Sequence, residues 1–180
     1  SDLVGLTSAP GRGGQVDADL ARLRGEYGMT MHVCLLPDEL LNGGVMVLDM
    51  LKRSRAMGAA VHWHPMPIGG VPNSIGAART LVGAIVSAAR DGGHVVIHCT
   101  EGVGRSGVIG GCVLVELGST PPEALETLAR RRSPVCPQTA DQRSFIEDYA
   151  EAVHGWARPR PKGIQALRIK ATPRRRAKRH

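Results

Sequence analysis

The segment at residues 95–117 constrains the fold more than any other part of the chain. Val95-Val96-Ile97 is a short, entirely apolar run, which is typical of a parallel strand buried on both faces. Residues 105–117 are apolar almost all round, which predicts a central, buried helix. A buried strand that turns directly into a buried helix indicates an α/β domain, in which helices cover a largely parallel sheet.

The rest of the chain follows the same alternation. Apolar runs predict strands at 29–36 and 61–64, and helical spacing predicts helices at 45–57, 75–89, 121–132 and 139–155. Residues 65–73 are rich in proline and glycine and predict a loop, with Asn73 as the N-cap of the helix that follows. Thr120 and Glu123 have capping-box spacing, with Pro121 at the first helical position. We therefore predict one α/β domain with a central, mostly parallel sheet of four or five strands and helices on both faces.

Charge divides the chain into two parts. The 180 residues carry a net charge of +7, but residues 157–180 contain ten Lys/Arg and no Asp or Glu. Residues 1–156 hold 13 basic and 16 acidic residues, a net charge of −3. We predict a domain at 1–156 and a basic, flexible tail at 157–180. The tail is interpreted as a solvated extension, with an anionic membrane surface or nucleic acid as the alternative partner.

Composition narrows the class of protein. The longest apolar run is shorter than the roughly 18 residues that a membrane span needs. Only 3% of the residues are aromatic, so base stacking, and with it a specific nucleic-acid partner, is not expected. Four cysteines in this length are too few for a disulfide framework, and their spacing with histidine does not suggest a zinc site. These features predict a cytoplasmic protein.

The turn between the buried strand and the buried helix has the chemistry of an anion site. Five residues separate Cys99 from Arg105, which is enough for the backbone to curl around one tetrahedral oxyanion. Gly102 and Gly104 permit the conformations that turn successive N–H groups inward, and the helix that begins at Arg105 adds its positive end. The candidate binding loop comprises Thr100, Glu101, Gly102, Val103, Gly104 and Arg105.

This environment predicts a role for each polar side chain. It would lower the pKa of Cys99 from about 8.5 to between roughly 3.5 and 7.5, which makes the thiolate a nucleophile at neutral pH. Arg105 suits two equatorial phosphate oxygens, and Ser106 can donate a hydrogen bond to the departing thiolate. His98 is interpreted as orienting the loop. The alternative is that Cys99 is a small core residue, as most cysteines at strand ends are.

At this point the sequence resembles a known family, the cysteine-based protein phosphatases, whose signature is His-Cys, five residues, Arg, then Ser or Thr. Within it the chain is most similar to the dual-specificity branch near the cyclin-dependent-kinase-associated phosphatase, through residues 6–12, 37–40, 64–72, 138–142 and Phe145. The resemblance implies a single phosphatase-type domain that hydrolyses phosphomonoesters, chiefly protein phosphotyrosine, through a phosphocysteine, without a metal or other cofactor. It also implies that Gln142 positions the water of the second step.

The loop at 64–73 departs from that pattern. The family has an aspartate just before Gly-Gly that protonates the leaving oxygen, and this chain has Ile68 there; a second frequent carboxylate position is Asn73. General acid catalysis is worth roughly 10²–10⁴ in rate. Three explanations are open: a surrogate acid, a substrate with a good leaving group, or a weakly active or inactive pseudophosphatase that binds phosphorylated partners. The candidate surrogates are His62, His64, Asp38 and Glu39. Rhodanese-type sulfur transfer is a further alternative, disfavoured by the spacing to Arg105.

The remaining cysteines and charges have simpler readings. By the resemblance, Cys34 ends a strand beside that of Cys99 and could pair with it reversibly, although a buried packing role is favoured. Cys112 is predicted to pack in the central helix, and Cys136 is predicted to be the more exposed thiol, without an evident partner. Glu101 is expected to point away from the anion and to accept hydrogen bonds from backbone or an arginine. Arg130-Arg131-Arg132 are interpreted as helix-terminal cations, with the substrate opening as the alternative.

Overall fold

The computed structural model describes residues 3–42 and 44–157. A sheet of four parallel strands lies at the centre of this part of the chain. Their spatial order is β1-β4-β2-β3. The strands are β1 (Val4–Thr7), β2 (Met29–Cys34), β3 (Ala60–Trp63) and β4 (His94–His98). The predicted basic tail lies outside the described residues, apart from Ala157. Because all three strand pairs are parallel, the predicted architecture of the sheet is confirmed.

Six helices accompany the sheet in the described residues. They are α1 (Val16–Gly25), α2 (Val47–Ala56), α3 (Ile75–Arg90), α4 (Arg105–Glu116), α5 (Pro121–Arg131) and α6 (Ala140–His154). Alternate residues of β4 serve two cores: Val95 and Ile97 pack in the larger core with α3, α4, α5 and α6, whereas Val96 packs in a separate cluster with Ala59. A third cluster joins α1 and α2 to Cys34 and Leu36. Helices therefore cover both faces of the sheet, as predicted.

The register of the sheet brings the ends of its strands together. Thr7 of β1 and Cys34 of β2 both lie opposite His98 of β4, and Cys34 also lies opposite Trp63 of β3. Because the strands are parallel, the segments that follow all four of them leave from the same edge. In open α/β sheets this carboxyl-end edge is the usual ligand site.

Helix α4 is the most deeply buried helix, with ten of its twelve residues buried. Glycines make its close packing possible. A Cβ atom on Gly111 would lie 2.3 Å from Cδ1 of Ile146 on α6, and one on Gly107 would lie 2.7 Å from Sγ of Cys136. The apolar pattern at 105–117 therefore predicted both the helix and its central position.

Three local features differ from the predictions. Strand β1 and helix α1 were not predicted. The N-cap of α3 is Ser74, whose Oγ accepts a hydrogen bond from the Ala77 N–H at 3.0 Å, so the assignment of this role to Asn73 is wrong. The predicted capping box at Thr120 and Glu123 is present, and Thr139 and Gln142 form a second one at the start of α6.

Candidate active site

Residues 99–104 connect β4 to α4 at the carboxyl edge of the sheet; we call them the oxyanion loop. Cys99 comes directly after β4 and is 3% exposed, and Arg105 is the first residue of α4 and 4% exposed. Gly102 has a φ of 71°, and a Cβ there would lie 2.3 Å from the carbonyl carbon and oxygen of Thr7. Only glycine fits this position, because a side chain would meet the backbone of β1.

The sulfur of Cys99 is surrounded by hydrogen-bond donors. Burial by itself raises the pKa of the thiol, but hydrogen bonds from the Ser106 side chain and from the N–H groups of Ser106, Val103 and Gly102 outweigh it. The pKa of Cys99 is consequently lowered from its ordinary value of 9.0. The Sγ–Oγ distance to Ser106 is 3.5 Å. The structure therefore brings Cys99 and Ser106 together as the sequence predicts.

The guanidinium of Arg105 points into the protein beneath two loops. Its Nη2 donates to Oγ1 of Thr100 at 2.6 Å, within the oxyanion loop. Its Nη1 donates to the carbonyl of Met66 at 2.9 Å and, more weakly, to that of Leu35 at 3.4 Å. Arg105 thus links the oxyanion loop to the segment after β3 that contains Ile68.

The outer side of the oxyanion loop is held by donors from distant parts of the chain. The carbonyls of residues 100 to 103 each accept one hydrogen bond. The donors, in that order, are Ala9 N at 3.2 Å, Arg132 Nη2 at 2.8 Å, Arg132 Nε at 2.7 Å and Cys136 Sγ at 3.1 Å. The side chain of Glu101 turns outward and pairs with Arg12, as expected of that carboxylate.

We call residues 64–73 the acid loop, because they correspond to the loop that carries the aspartate in the family that the sequence resembles. The segment contains no Asp or Glu. Ile68 is 86% exposed at the surface. The side chain of Asp38 is engaged elsewhere, since its Oδ1 accepts the Leu48 N–H at 3.2 Å in the first turn of α2. The pKa of His64 is lowered by burial and by neighbouring His62, whose ring stacks 6.5 Å away. A neutral imidazole is a weak proton donor at pH 7. A surrogate acid among His62, His64, Asp38 and Glu39 stays a prediction.

Gln142 lies next to the oxyanion loop but is occupied by other partners. It is fully buried, and a Cβ on Gly104 would lie 3.2 Å from its amide atoms. Its Oε1 accepts the N–H groups of Gln138 at 3.1 Å and Thr139 at 3.3 Å, while Nε2 donates to the carbonyl of Gly70 at 3.0 Å. The amide nitrogen carries a second N–H, and the role of Gln142 in positioning a water molecule stays a prediction.

Two histidines lie under the site. His98 and His32 are fully buried, and their ring centroids are 4.8 Å apart. Nδ1 of His32 is 2.8 Å from Oγ of Ser54. Burial lowers the pKa of His32 to about 4, and burial together with His32 lowers the pKa of His98 well below its ordinary value. Both rings are neutral near pH 7, which disfavours proton transfer by His98; its role in orienting the loop stays a prediction.

The other three cysteines are buried, reduced thiols. Burial raises the pKa of Cys34 to about 12 and that of Cys136 to about 11, and it also raises the pKa of Cys112. Cys136 is more exposed than Cys34 and Cys112, as predicted, but at 4% it is still buried, and its Sγ donates to the carbonyl of Val103 at 3.1 Å. Pairing of Cys34 with Cys99 stays a prediction.

Sequence reasoning missed the donors outside the oxyanion loop. Arg132 was interpreted as a helix-terminal cation, yet its side chain reaches two carbonyls of the loop. The run of three arginines was the available signal, but it does not say which of them turns toward the site. Across residues 3–42 and 44–157, no helix is long and apolar enough to cross a membrane.

Comparisons with known proteins show which family the chain belongs to. Residues 18–124 match the family model described as cyclin-dependent kinase inhibitor 3 (CDKN3). The cyclin-dependent kinase inhibitor 3 proteins of Rattus norvegicus and Homo sapiens are 27% and 26% identical over 107 residues, which is 58% of this chain and 50% of each relative. The chain thus spans about half the length of the curated relatives it matches.

Solved structures show the same fold. Kinase associated phosphatase, with its catalytic site cysteine changed to serine, has a TM-score of 0.74 at 23% identity, with coverage of 84% of this chain and 88% of that one. Tk-PTP in its active form gives 0.72 at 25% identity, covering 85% and 95%, and human DUSP28 gives 0.63 at 21%, covering 86% and 96%. The fold is that of the dual-specificity and tyrosine phosphatases, and because the family model matches more than half of its length, the chain belongs to the cyclin-dependent kinase inhibitor 3 family.

Proposed function

We propose that this protein hydrolyses phosphomonoesters through a phosphocysteine intermediate on Cys99, with protein phosphotyrosine as the favoured substrate. The observation that carries the proposal is the ring of donors around a buried sulfur. N–H groups of Gly102, Val103 and Ser106 hydrogen-bond to Sγ of Cys99 and hold its pKa below the ordinary value, against the effect of burial. A packing cysteine has no need of such donors, as the raised pKa of Cys112 illustrates.

In the first step the Cys99 thiolate attacks phosphorus. The S–P bond forms, the P–O bond to the leaving group breaks, and the electron pair stays on the departing oxygen. The amides of the oxyanion loop and the positive end of α4 stabilise the equatorial oxygens. Arg105 joins them by exchanging its bonds to the carbonyls of Met66 and Leu35 for two phosphate oxygens.

In the second step water attacks the phosphocysteine. The P–O bond to water forms, the S–P bond breaks with its electron pair returning to sulfur, and inorganic phosphate leaves with both protons of the water. Ser106, 3.5 Å from the sulfur, donates to the developing thiolate. Gln142 retains one N–H that can orient the water, so its assignment to this step remains part of the proposal.

The leaving group determines how well the first step proceeds. The acid loop supplies no carboxylate, so the oxygen departs without a positioned acid. A phenol has a pKa of about 10, and its anion leaves far more readily than a serine alkoxide. We therefore infer that aryl phosphates are turned over in preference to alkyl phosphates.

The partner is proposed to be a phosphorylated protein. Support comes from the name of one structural relative, kinase associated phosphatase, which describes that protein. The boundary between 1–156 and 157–180, an anionic partner for the basic tail, a mechanism without metal, and a cytoplasmic location remain predictions.

Cys99→Ser tests the proposal. We expect it to abolish hydrolysis of an aryl phosphate and of a phosphotyrosine peptide, because a serine hydroxyl is not ionised in this site. Cys112→Ala is the matched control, since it alters a buried cysteine of α4 outside the loop and should keep turnover within a few-fold. Rapid denaturation at alkaline pH, where the S–P bond is stable, should trap a phosphoryl group on Cys99 during turnover of an activated aryl phosphate. Unchanged turnover in Cys99→Ser would refute the mechanism.

A second candidate is a pseudophosphatase that binds phosphorylated partners. The observation that favours it is the exposed Ile68 where a proton donor would be needed. Calorimetry with a phosphotyrosine peptide and the wild-type protein separates the two functions. Binding without any turnover of aryl phosphates would support the binding module, and turnover that is lost in Cys99→Ser would exclude it.

A further inference from the structure

The outward carbonyls of the oxyanion loop and its inward amides belong to the same rigid peptide units. The carbonyl of Glu101 is bonded to the N of Gly102, and the carbonyl of Gly102 to the N of Val103. Because a peptide unit is planar and trans, turning its carbonyl outward turns its N–H inward. The N–H groups of Gly102 and Val103 are two of those that hydrogen-bond to Cys99.

Arg132 binds both of these peptide units from the outside. Its Nη2 donates to the carbonyl of Glu101 at 2.8 Å and its Nε to the carbonyl of Gly102 at 2.7 Å. Two bonds from one planar guanidinium fix two successive peptide planes with respect to each other. Arg132 follows α5 directly, where a cation would ordinarily serve its own helix terminus, yet these bonds reach a loop 30 residues earlier in the chain.

We propose that Arg132 is a positioning residue for catalysis, which holds the Glu101–Gly102 and Gly102–Val103 peptide units so that the N–H groups of Gly102 and Val103 are directed at the sulfur and the bound oxyanion. It does not touch the substrate. The inference rests on the proposed function, because the loop is taken to bind a phosphoryl group.

Two other donors bind the oxyanion loop, but neither of them binds a carbonyl that Arg132 binds. Ala9 N and Cys136 Sγ each bind one carbonyl at the two ends of the same stretch, at Thr100 and Val103. Both are neutral, whereas the bonds from Arg132 are charge-assisted and therefore stronger.

The experiment compares Arg132→Ala, Arg132→Lys and the control Arg130→Ala. Arg130 is two residues away, 65% exposed in its side chain, and 3.8 Å from Glu126 on the same helix. The readouts are kcat and KM for an aryl phosphate, the urea midpoint, and the pH dependence of Cys99 alkylation by iodoacetamide. Alkylation reports the thiolate without requiring turnover.

We expect Arg132→Ala to lower kcat/KM by about 10²-fold, since misplacement of a site by about 1 Å has that effect. The apparent pKa of Cys99 should rise by about one unit, as two amides lose their alignment. Arg132→Lys keeps the charge and fewer donors, so it should be intermediate in both readouts. Arg130→Ala should match the wild type within twofold.

The proposal is overturned if Arg132→Ala lowers the urea midpoint but leaves kcat/KM within twofold and the alkylation profile unchanged. Should that variant not fold, Arg132→Lys and Arg132→Gln decide: equal alkylation profiles in both and in the wild type overturn the proposal, and a rise in the pKa of Cys99, larger in Arg132→Gln, supports it. If the wild type hydrolyses no phosphate ester, the proposed function fails, while the alkylation profiles still decide the role of Arg132.

Discussion

In the proposed function, Ile68 is the residue that most affects which phosphate esters the site hydrolyses. It stands in the acid loop, 86% exposed, whereas the donors to the sulfur of Cys99 are Gly102 and Val103 of the oxyanion loop and Ser106. The machinery for attack and charge stabilisation is therefore separate from the machinery for protonation. A change at position 68 can add a proton donor without disturbing buried packing.

Ile68→Asp should raise kcat for phosphate esters with poor leaving groups, such as alkyl phosphates, by up to about 10²-fold. Activated esters such as p-nitrophenyl phosphate should change little, because their leaving group needs no proton. The slope of log kcat against leaving-group pKa measures the effect. Ile68→Asn is the control, similar in size to aspartate but without an acidic proton. An equal change for both ester classes would contradict this explanation.

At the residue scale, the spacing of Cys99, Arg105 and Ser106 predicted their proximity because a five-residue connection between a strand and a helix leaves few conformations. The same local reasoning could not find Ala9, Arg132 or Cys136 as donors to the loop. These contacts span from 30 to 91 residues of sequence and depend on how whole elements pack. The pattern of neighbouring residues in the sequence does not show which residues will be in contact at such separations.

Among the elements, α4 was the most predictable and α1 the least. Residues 105–117 are apolar on every side, whereas α1 buries only Val16 and Leu20 among charged neighbours. Those two residues are four apart, so a helical signal exists, but it is short. Strand β1 contains Gly5 within four residues, and its strand character comes from pairing with β4. Residues 4–7 therefore form a strand because they pair with β4, and not because of their own strand propensity.

Glycines in two helices give an element-scale prediction. Gly111→Ala adds a methyl group 2.3 Å from Cδ1 of the fully buried Ile146, so α4 and α6 must separate or repack. We expect a loss of about 1–3 kcal/mol in the free energy of unfolding, as for other overpacked cores. Gly83→Ala on α3 is the matched control, because no atom lies within 4 Å of its Cβ.

The control should be stabilised by about 0.5–1 kcal/mol, the usual gain for replacing a glycine inside a helix by alanine. Urea denaturation of both variants measures the two changes. Equal urea midpoints for Gly111→Ala and Gly83→Ala would contradict the close packing of α4 on α6.

On the scale of the whole molecule, the two histidines buried beneath the sheet's carboxyl edge make folding sensitive to acid. His32 has its pKa lowered by burial from 6.5 to about 4, and that of His98 is lowered well below 6.5. Between these values the unfolded chain binds protons that the folded protein does not, so stability falls as pH falls from about 6.5.

We expect His32 alone to account for up to about 3 kcal/mol of lost stability between pH 6.5 and 4, at 1.36 kcal/mol per pKa unit. Urea midpoints at four pH values in this range measure the slope. His32→Gln should flatten it, while His154→Gln, which alters an exposed histidine at the end of α6, should leave it steep. The same slope in the wild type and His32→Gln would show that this imidazole does not carry the effect.

Ala9, Arg132 and Cys136 bind the outward carbonyls of the oxyanion loop, whereas its N–H groups turn toward the sulfur of Cys99. In the proposed function, the surrounding protein and the oxyanion therefore use opposite ends of each peptide group and do not compete for them. Substrate choice can therefore be redesigned at exposed positions such as Ile68, while the oxyanion loop keeps its conformation.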